Sequence, residues 1–363
     1  MSFKGTEFMK RLFLLLSGEH PTLPLAEVNS ILDAEGIKYD ILRQRDRLLI
    51  VEVRDEEVKR TGTAILNRAA MTKMVGMVLI EKEFSDFVFT EIRRLEWRDL
   101  LKGHSFAVRF TVLGGKRAEV SSQELERVIG GIVKARSNAP VNLSSPDIML
   151  QGILIDDLFV FGINLGHIRG GVFEMRRPKN RPFFHPSAME PKLARVLVNL
   201  SRARKGEVFL DPFCGSGGLM IEAGLIGCRI AGGDILPYMV KGARENLQYF
   251  GLDPGGVVLH DARKLPFQDV DAIATDPPYG RSATTRRVPL PELLKDFLGE
   301  AYEALAPRRY TVIVTPLGVE VGEYALTIGF DIVEEHRMRV HSCLLYTSPS
   351  PRDISGSRMP SSA

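Results

Sequence analysis

The feature that most restricts the fold is a series of short apolar stretches at 207–210, 229–233, 256–259, 271–275 and 310–315, each separated from the next by a helical stretch. Strands that are apolar on both faces and joined by helices pack as a doubly wound parallel sheet. The predicted class is therefore α/β, with a Rossmann-like, mostly parallel sheet in the second half of the chain. Ligands of such sheets sit outside the carboxyl ends of the strands. The residues that end each strand are thus the first place to look for chemistry.

The first stretch runs into Asp211-Pro212-Phe213-Cys214-Gly215-Ser216-Gly217-Gly218 and then a helix. Glycines at a strand-to-helix turn let backbone approach a nucleotide-like ligand closely. A dinucleotide fingerprint would require a further glycine where Met220 stands, and no Gly-Lys-Ser/Thr follows to hold a phosphate. A pyrophosphate ligand is thereby disfavoured. Asp211 can instead anchor a cationic amino-acid group, and Asp234, ending the next strand, suits paired hydrogen bonds to ribose hydroxyls. Asp261, after the third strand, can accept from an adenine amine. All three carboxylates fit S-adenosylmethionine (SAM), although any one of them alone reads more readily as a helix cap or a loop solubiliser.

The most specific signal is Asp276-Pro277-Pro278-Tyr279-Gly280, directly after the fourth strand. Two consecutive prolines fix φ and donate no backbone hydrogen bonds, so the chain leaves the sheet as a stiff corner. An exocyclic amine is a poor nucleophile because its lone pair is delocalised into the ring. Asp276 and the Pro277 carbonyl, both accepting N–H bonds, would aim that lone pair at a methyl donor, and Tyr279 would stack on the base. A base inside a helix is unreachable this way, so the target is flipped out or unpaired.

Before residue 166 the pattern is different. Strands at 10–16, 37–42, 48–53 and 73–81 alternate with helices at 24–34 and 57–70, the split βαβ order of a ferredoxin-like unit. A second α+β unit follows, with a strand at 106–112, a helix at 122–135 capped by Ser122, and a hairpin of 148–155 with 158–165. The stretch 166–182 is Gly-, Arg- and Pro-rich without hydrophobic period and reads as a linker. Net charge is only +3, but ten Lys and Arg face two Glu between 166 and 206, an excess suited to phosphate contacts or to a solvated linker. Three scattered cysteines and no Cys/His cluster predict neither disulfide nor metal site. With no long apolar run and no leader-like start, the expected location is the cytoplasm.

Asp-Pro-Pro-Tyr resembles the catalytic motif of amino-group methyltransferases that act on adenine N6, cytosine N4 or guanine N2. Joined with the glycine turn, with Asp261-Ala262-Arg263-Lys264-Leu265-Pro266 and with Arg181-Pro182-Phe183-Phe184-His185-Pro186, it resembles the archaeal tRNA guanine-10 N2-methyltransferases. Val141-Asn142-Leu143-Ser144-Ser145-Pro146-Asp147 is similar to the signature of their THUMP RNA-binding domain. The resemblance implies catalysis by Asp276, Pro277, Pro278 and Tyr279. It implies SAM held by Asp211 with Cys214, Gly215, Ser216 and Gly217, by Asp234 with Ile235, by Asp261 with Ala262, and by His185. The implied partner is tRNA, bound by a monomer without metal or membrane. Other readings are an N2-guanine methyltransferase for another tRNA position or ribosomal RNA, a DNA amino-methyltransferase, and an RNA-binding module with an inactive catalytic half.

The expected domains are 8–82 (ferredoxin-like), 83–165 (THUMP), 166–182 (linker) and 183–342 (methyltransferase). The remainder, 343–363, turns abruptly Ser/Pro-rich where the resemblance would continue as a strand, and reads as a non-native tail. On that reading two strands of the sheet lose a shared neighbour, with at most 344–347 replacing part of it.

Overall fold

The computed structural model describes residues 8–115, 120–278, 288–319, 321–338 and 343–349. They form two compact units. The first comprises the described residues up to Glu19 together with Gly36–Asn67 and Thr72–Arg169, and the second His20–Glu35, Arg68–Met71 and the described residues from Gly170 onward.

In the first unit β1 (Met9–Leu16), β2 (Asp40–Arg45), β3 (Leu48–Arg54) and β4 (Thr72–Glu83) take the order β2-β3-β1-β4. That is the order the split βαβ pattern requires. The two α+β units expected from the sequence share one sheet, because β4 pairs antiparallel with β7 (Leu158–His167). Beyond β7 come β6 (Ile148–Ile155) and β5 (Phe106–Leu113), giving seven strands. Both faces are covered. Along β7, Phe159 and Phe161 enter a core with Trp97, Ile129 and Leu150, while Leu158 and Val160 face a second core with Phe13, Ile50 and Ile153. This is the two-residue alternation of a strand buried on both sides. The first core is roofed by α3 (Phe87–Arg94), α4 (Trp97–Leu101) and α5 (Ser122–Ser137). The cap of α5 is Ser121 rather than Ser122: the Ser121 hydroxyl accepts from the Glu124 amide at 3.3 Å. Glu124 lies three residues after Ser121, the spacing a capping box uses.

The helix α1 (Leu23–Ala34) belongs with the second unit, as does the last residue of α2 (Val58–Arg68). Helical periodicity announces a buried face without naming what covers it. Here α1 packs on α7 (Pro191–Leu200), and Glu27, at 0% exposure, accepts the Ala70 and Met71 amides and the Asn199 side-chain amide.

The second unit carries β8 (Val208–Asp211), β9 (Arg229–Asp234), β10 (Val257–Leu259), β11 (Val270–Thr275), β12 (Leu305–Pro316), β13 (Glu334–Met338) and β14 (Cys343–Pro349) in the order β10-β9-β8-β11-β12-β14-β13. The first five are parallel and β14 runs antiparallel to β12 and β13. This corrects the expected loss at the carboxyl end: residues 343–349 do form the strand between β12 and β13. A ladder is made by backbone, and Leu344-Leu345-Tyr346-Thr347 has adequate strand propensity. Helices α8 (Gly218–Leu225), α9 (Pro237–Tyr249), α10 (Leu290–Ala304) and α11 (Val321–Ile328) cover the sheet. Among the described residues, no helix is long and apolar enough to cross a membrane.

The stretch 166–182 is not a plain linker. It holds α6 (Gly171–Met175) and a 3-10 turn at Pro178–Asn180, and buries Phe173, Pro178 and Arg181. Of the basic residues gathered there by sequence, Arg181, Arg195 and Arg202 are buried and Arg176 is ion-paired inside, so this part of the excess serves the fold rather than a phosphate. Arg169, Lys179, Arg204 and Lys205 remain exposed.

Candidate active site

Strands β8 and β11 lie side by side, Phe209 opposite Ala272 and Leu210 opposite Ile273. They flank the position where the strand order reverses, the crevice that ligands of open sheets occupy. Asp211 ends β8 level with the end of β11, and the Thr275 hydroxyl donates to its Oδ1 at 2.8 Å. Asp276 is the next residue. The stiff corner therefore abuts the glycine turn: Pro277 is buried, and Asp276 and Pro278 are half-buried beside it. Tyr279 lies outside the described residues.

Burial pushes Asp211 up to about 7, against the Thr275 and Phe213 hydrogen bonds, and the charges of Asp276 and Asp234 push it the same way. Three carboxylates thus sit within electrostatic reach of one another. Such a cluster resists ionisation until a cation joins it.

The turn that follows Asp211 needs its glycines, since Gly215 and Gly217 have φ of 49° and 85°. The Gly215 amide donates to Asp234 Oδ2 at 3.2 Å and the Leu236 amide to Oδ1 at 2.9 Å, which ties the turn to the end of β9. Burial raises Asp234 as well, with these amides opposing it. Cys214 is a wall rather than a nucleophile: burial holds its thiol well above the ordinary range, and it packs on Met220 and Val240. Ser216 is buried, Ile235 half-buried and Ala262 buried.

Asp261 is engaged by Arg263, whose Nη2 donates to Oδ2 at 2.6 Å and whose backbone amide donates to Oδ1 at 3.1 Å. Arg263 fixes the carboxylate's rotamer, a role the sequence reading missed. In His185, Nδ1 accepts the Ser187 amide at 3.3 Å, so the neutral ring carries its proton on Nε2.

Two further residues escaped the sequence. Asn246 on α9 accepts the Phe183 amide and donates to the Phe183 and Ser216 carbonyls, each at 2.9 Å, clasping the segment before His185 to the glycine turn. The ring of Phe183 covers Gly242, where a Cβ would stand 2.1 Å from it. A glycine one helical turn before an asparagine was the available signal. Glu222 on α8, at 0% exposure, is clamped by Arg176 at 2.8 Å and Arg195 at 2.9 Å. Among the described residues no cluster of His, Cys, Asp or Glu could hold a metal.

In the first unit, Asn142 folds 141–147 on itself by accepting the Ser144 and Ser145 amides. Asp147 accepts the Ser105 hydroxyl at 2.6 Å, which with the Ser105 amide holds its carboxyl below the ordinary range. Leu143 stands out at 62% exposure on this braced loop.

Residues 84–164 match the THUMP domain and 178–347 the RMKL-like methyltransferase domain. The chain is 38% identical over 334 residues to the tRNA (guanine(10)-N2)-dimethyltransferase of Methanothermobacter thermautotrophicus, covering 92% of this chain and 96% of that one. With the enzyme of the same name from Pyrococcus abyssi the identity is 36%, over 92% of this chain and 96% of the relative. Among solved structures, TrmN from Thermus thermophilus superposes with a TM-score of 0.54 at 22% identity, over 94% of this chain and 99% of the other. At that identity the superposition speaks to fold alone.

Proposed function

Because the chain belongs to the archaeal tRNA (guanine(10)-N2)-dimethyltransferase family, we propose that it transfers methyl groups from SAM to the exocyclic N2 of guanine 10 in tRNA, ending at N2,N2-dimethylguanosine. The observation that carries this reading is the junction of Asp211, Thr275 and Asp276 at the reversal point of the sheet, which sets a cation anchor beside an amine acceptor.

The crevice fits SAM on its own chemistry. Asp211 suits the ammonium of the amino-acid part, the positive-φ glycines allow close approach, and Asp234 keeps unused lone pairs for ribose hydroxyls. Asp261, held by Arg263, suits the adenine amine, with Ala262 and Ile235 as apolar walls and His185 offering Nε2–H. When bound, SAM supplies an electrophilic methyl group on sulfonium. The protein's part is to orient the amine: Asp276 and the Pro277 carbonyl accept its two N–H groups, so the lone pair turns out of conjugation. Asp276 Oδ also takes the proton that becomes acidic as the new N–C bond forms, and Tyr279 stacks on the flipped base. No covalent link to the protein and no metal is required. The first unit, through its THUMP part and the loop 141–147, grips the tRNA. A monomer in the cytoplasm suffices for such a two-part grip.

Mass-spectrometric mapping of tRNA nucleosides after incubation with SAM tests the assignment. Dimethylguanosine at position 10 is expected. Methyl on another guanine would move the target, and methyladenine would overturn the base.

A pH dependence follows from Asp211. Its carboxyl ionises only above about 7, and the SAM ammonium binds the ionised form. SAM affinity should therefore rise toward neutrality, falling by up to about tenfold per pH unit on the acid side, and decline again above about 8 where the free α-amino group loses its proton. The cofactor-free protein should follow the opposite trend at this group. The unfolded chain releases the proton from 3.8 upward, so folding stability declines until about 7 is reached. Calorimetric titration across neutral pH checks the first statement, and a flat profile would remove Asp211 as the anchor.

A further inference from the structure

The segment before the glycine turn carries two phenylalanines in succession, and the fold treats them oppositely. The ring of Phe183 lies on Gly242 of α9, and its backbone amide and carbonyl are both held by Asn246. Phe184 is left 55% exposed. On α9, Tyr238 stands four residues before Gly242, on the same face of the helix and one turn nearer its start, and is 51% exposed. Residue 183 is pinned at the second turn of α9, so the two exposed rings share one rim of the crevice. Phe184 lies between that pin and His185, and Tyr238 lies four residues past Asp234.

A lone apolar residue at a surface is ordinary. Here two aromatic side chains from different elements border the same opening, and cations accompany them. Lys241, one turn along α9 from Tyr238, is 80% exposed and its ion pair with Glu245 is stretched to 4.0 Å; Lys264, beyond the end of β10, is exposed as well. Aromatic faces with lysines beside them are the chemistry that holds unpaired nucleotides: rings stack on bases whatever their identity, and ammonium groups meet phosphates. The centre of a protein interface is instead depleted of lysine.

The position suits the reaction. α9 follows β9, and β9 lies two strands from β11, whose end leads into Asp276. At the usual strand spacing that is about 10 Å, the distance of a neighbouring nucleotide rather than of the target base. Flipping a base out of its stack costs a few kcal/mol, and rings that receive a displaced neighbour return part of that cost.

We propose that Phe184 and Tyr238 form a stacking platform for the unpaired nucleotides beside the target guanine, with Lys241 on their phosphates. This rests on the tRNA methylation assigned above. The catalytic unit then makes an RNA contact of its own, local to the flipped base, in addition to the grip of the first unit. The bare Cα of Gly242 and the clasp of Asn246 serve it by holding Phe184 outward.

The test is steady-state methylation of tRNA by the full chain, with SAM calorimetry alongside. Phe184→Ala and Tyr238→Ala should each lower kcat/KM for tRNA by roughly five- to a hundredfold, the worth of one stacked base, and leave SAM affinity within about twofold. Phe184→Tyr and Tyr238→Phe should stay within about threefold of the parent, because any flat ring serves. Lys241→Gln should reduce the salt slope of tRNA binding by about one. Alanine variants that methylate tRNA like the parent would remove the platform. A matching loss of SAM affinity would make the rings a lid on the cofactor instead, and equal losses in the aromatic exchanges would make them props of the fold. Failure of the parent protein to methylate tRNA would overturn the assignment beneath the platform, whatever the variants do.

Discussion

Replacing Asp276 with alanine is expected to lower methyl transfer to tRNA by roughly a hundred- to ten-thousand-fold while SAM still binds. The carboxylate stands one residue past Thr275, whose hydroxyl donates to Asp211 at 2.8 Å. In the first transfer the amine presents two N–H groups and the Pro277 carbonyl can hold only one, and in the second the remaining N–H still needs an acceptor that takes its proton. Asp276→Asn should fail nearly as badly, since a side-chain amide of the same shape neither takes a proton nor carries the charge. SAM affinity offers an internal control with a sign. Asp276 is one of the charges that keep Asp211 from ionising, so its removal should bring the Asp211 pKa down and make SAM binding at neutral pH slightly tighter. Single-turnover kinetics alongside calorimetry separates the two effects. Transfer at the parental rate by either variant would exclude Asp276 from the chemistry.

How much of this could be read from sequence varies with the kind of interaction. The glycine turn and the double-proline corner were legible because few backbones need those residues in that order, and the strand that precedes each one fixes which edge of the sheet it occupies. Their meeting across β8 and β11 required only the strand order of the fold. The allegiance of α1 was not legible, since a helix with an apolar face packs equally well on its own sheet or on α7. Nor was the engagement of Glu222 with Arg176, 46 residues apart, because ion pairs leave no periodicity. That omission left the basic stretch open to reading as a phosphate surface or as a solvated linker. The carboxyl-terminal strand was misjudged for the opposite reason: composition marks a change of character, yet ladder formation by β14 asks little of side chains.

Glu222 supplies the largest expected effect on stability. It lies at 0% exposure on α8, holding Arg176 through two bonds of 2.8 and 3.1 Å and Arg195 at 2.9 Å, with Arg181 close behind. Removing one member of a buried ionic cluster leaves the others charged without compensation, a loss of about 3–5 kcal/mol. Each kcal/mol moves the melting temperature of a unit this size by about 2–4 °C, so Glu222→Gln should melt roughly 6–20 °C below the parent. Glutamine keeps the shape and one acceptor, so the loss measures charge rather than volume. Because the same helix opens on the cofactor crevice, loosening it should also weaken SAM. Replacing Glu222, Arg176, Arg195 and Arg181 together with apolar residues should restore much of the lost melting temperature, because a well-packed apolar cluster replaces ions whose desolvation was already unfavourable. A Glu222→Gln protein that melts with the parent would show that water or another anion neutralises the arginines, and the internal role given to that basic stretch would have to be withdrawn.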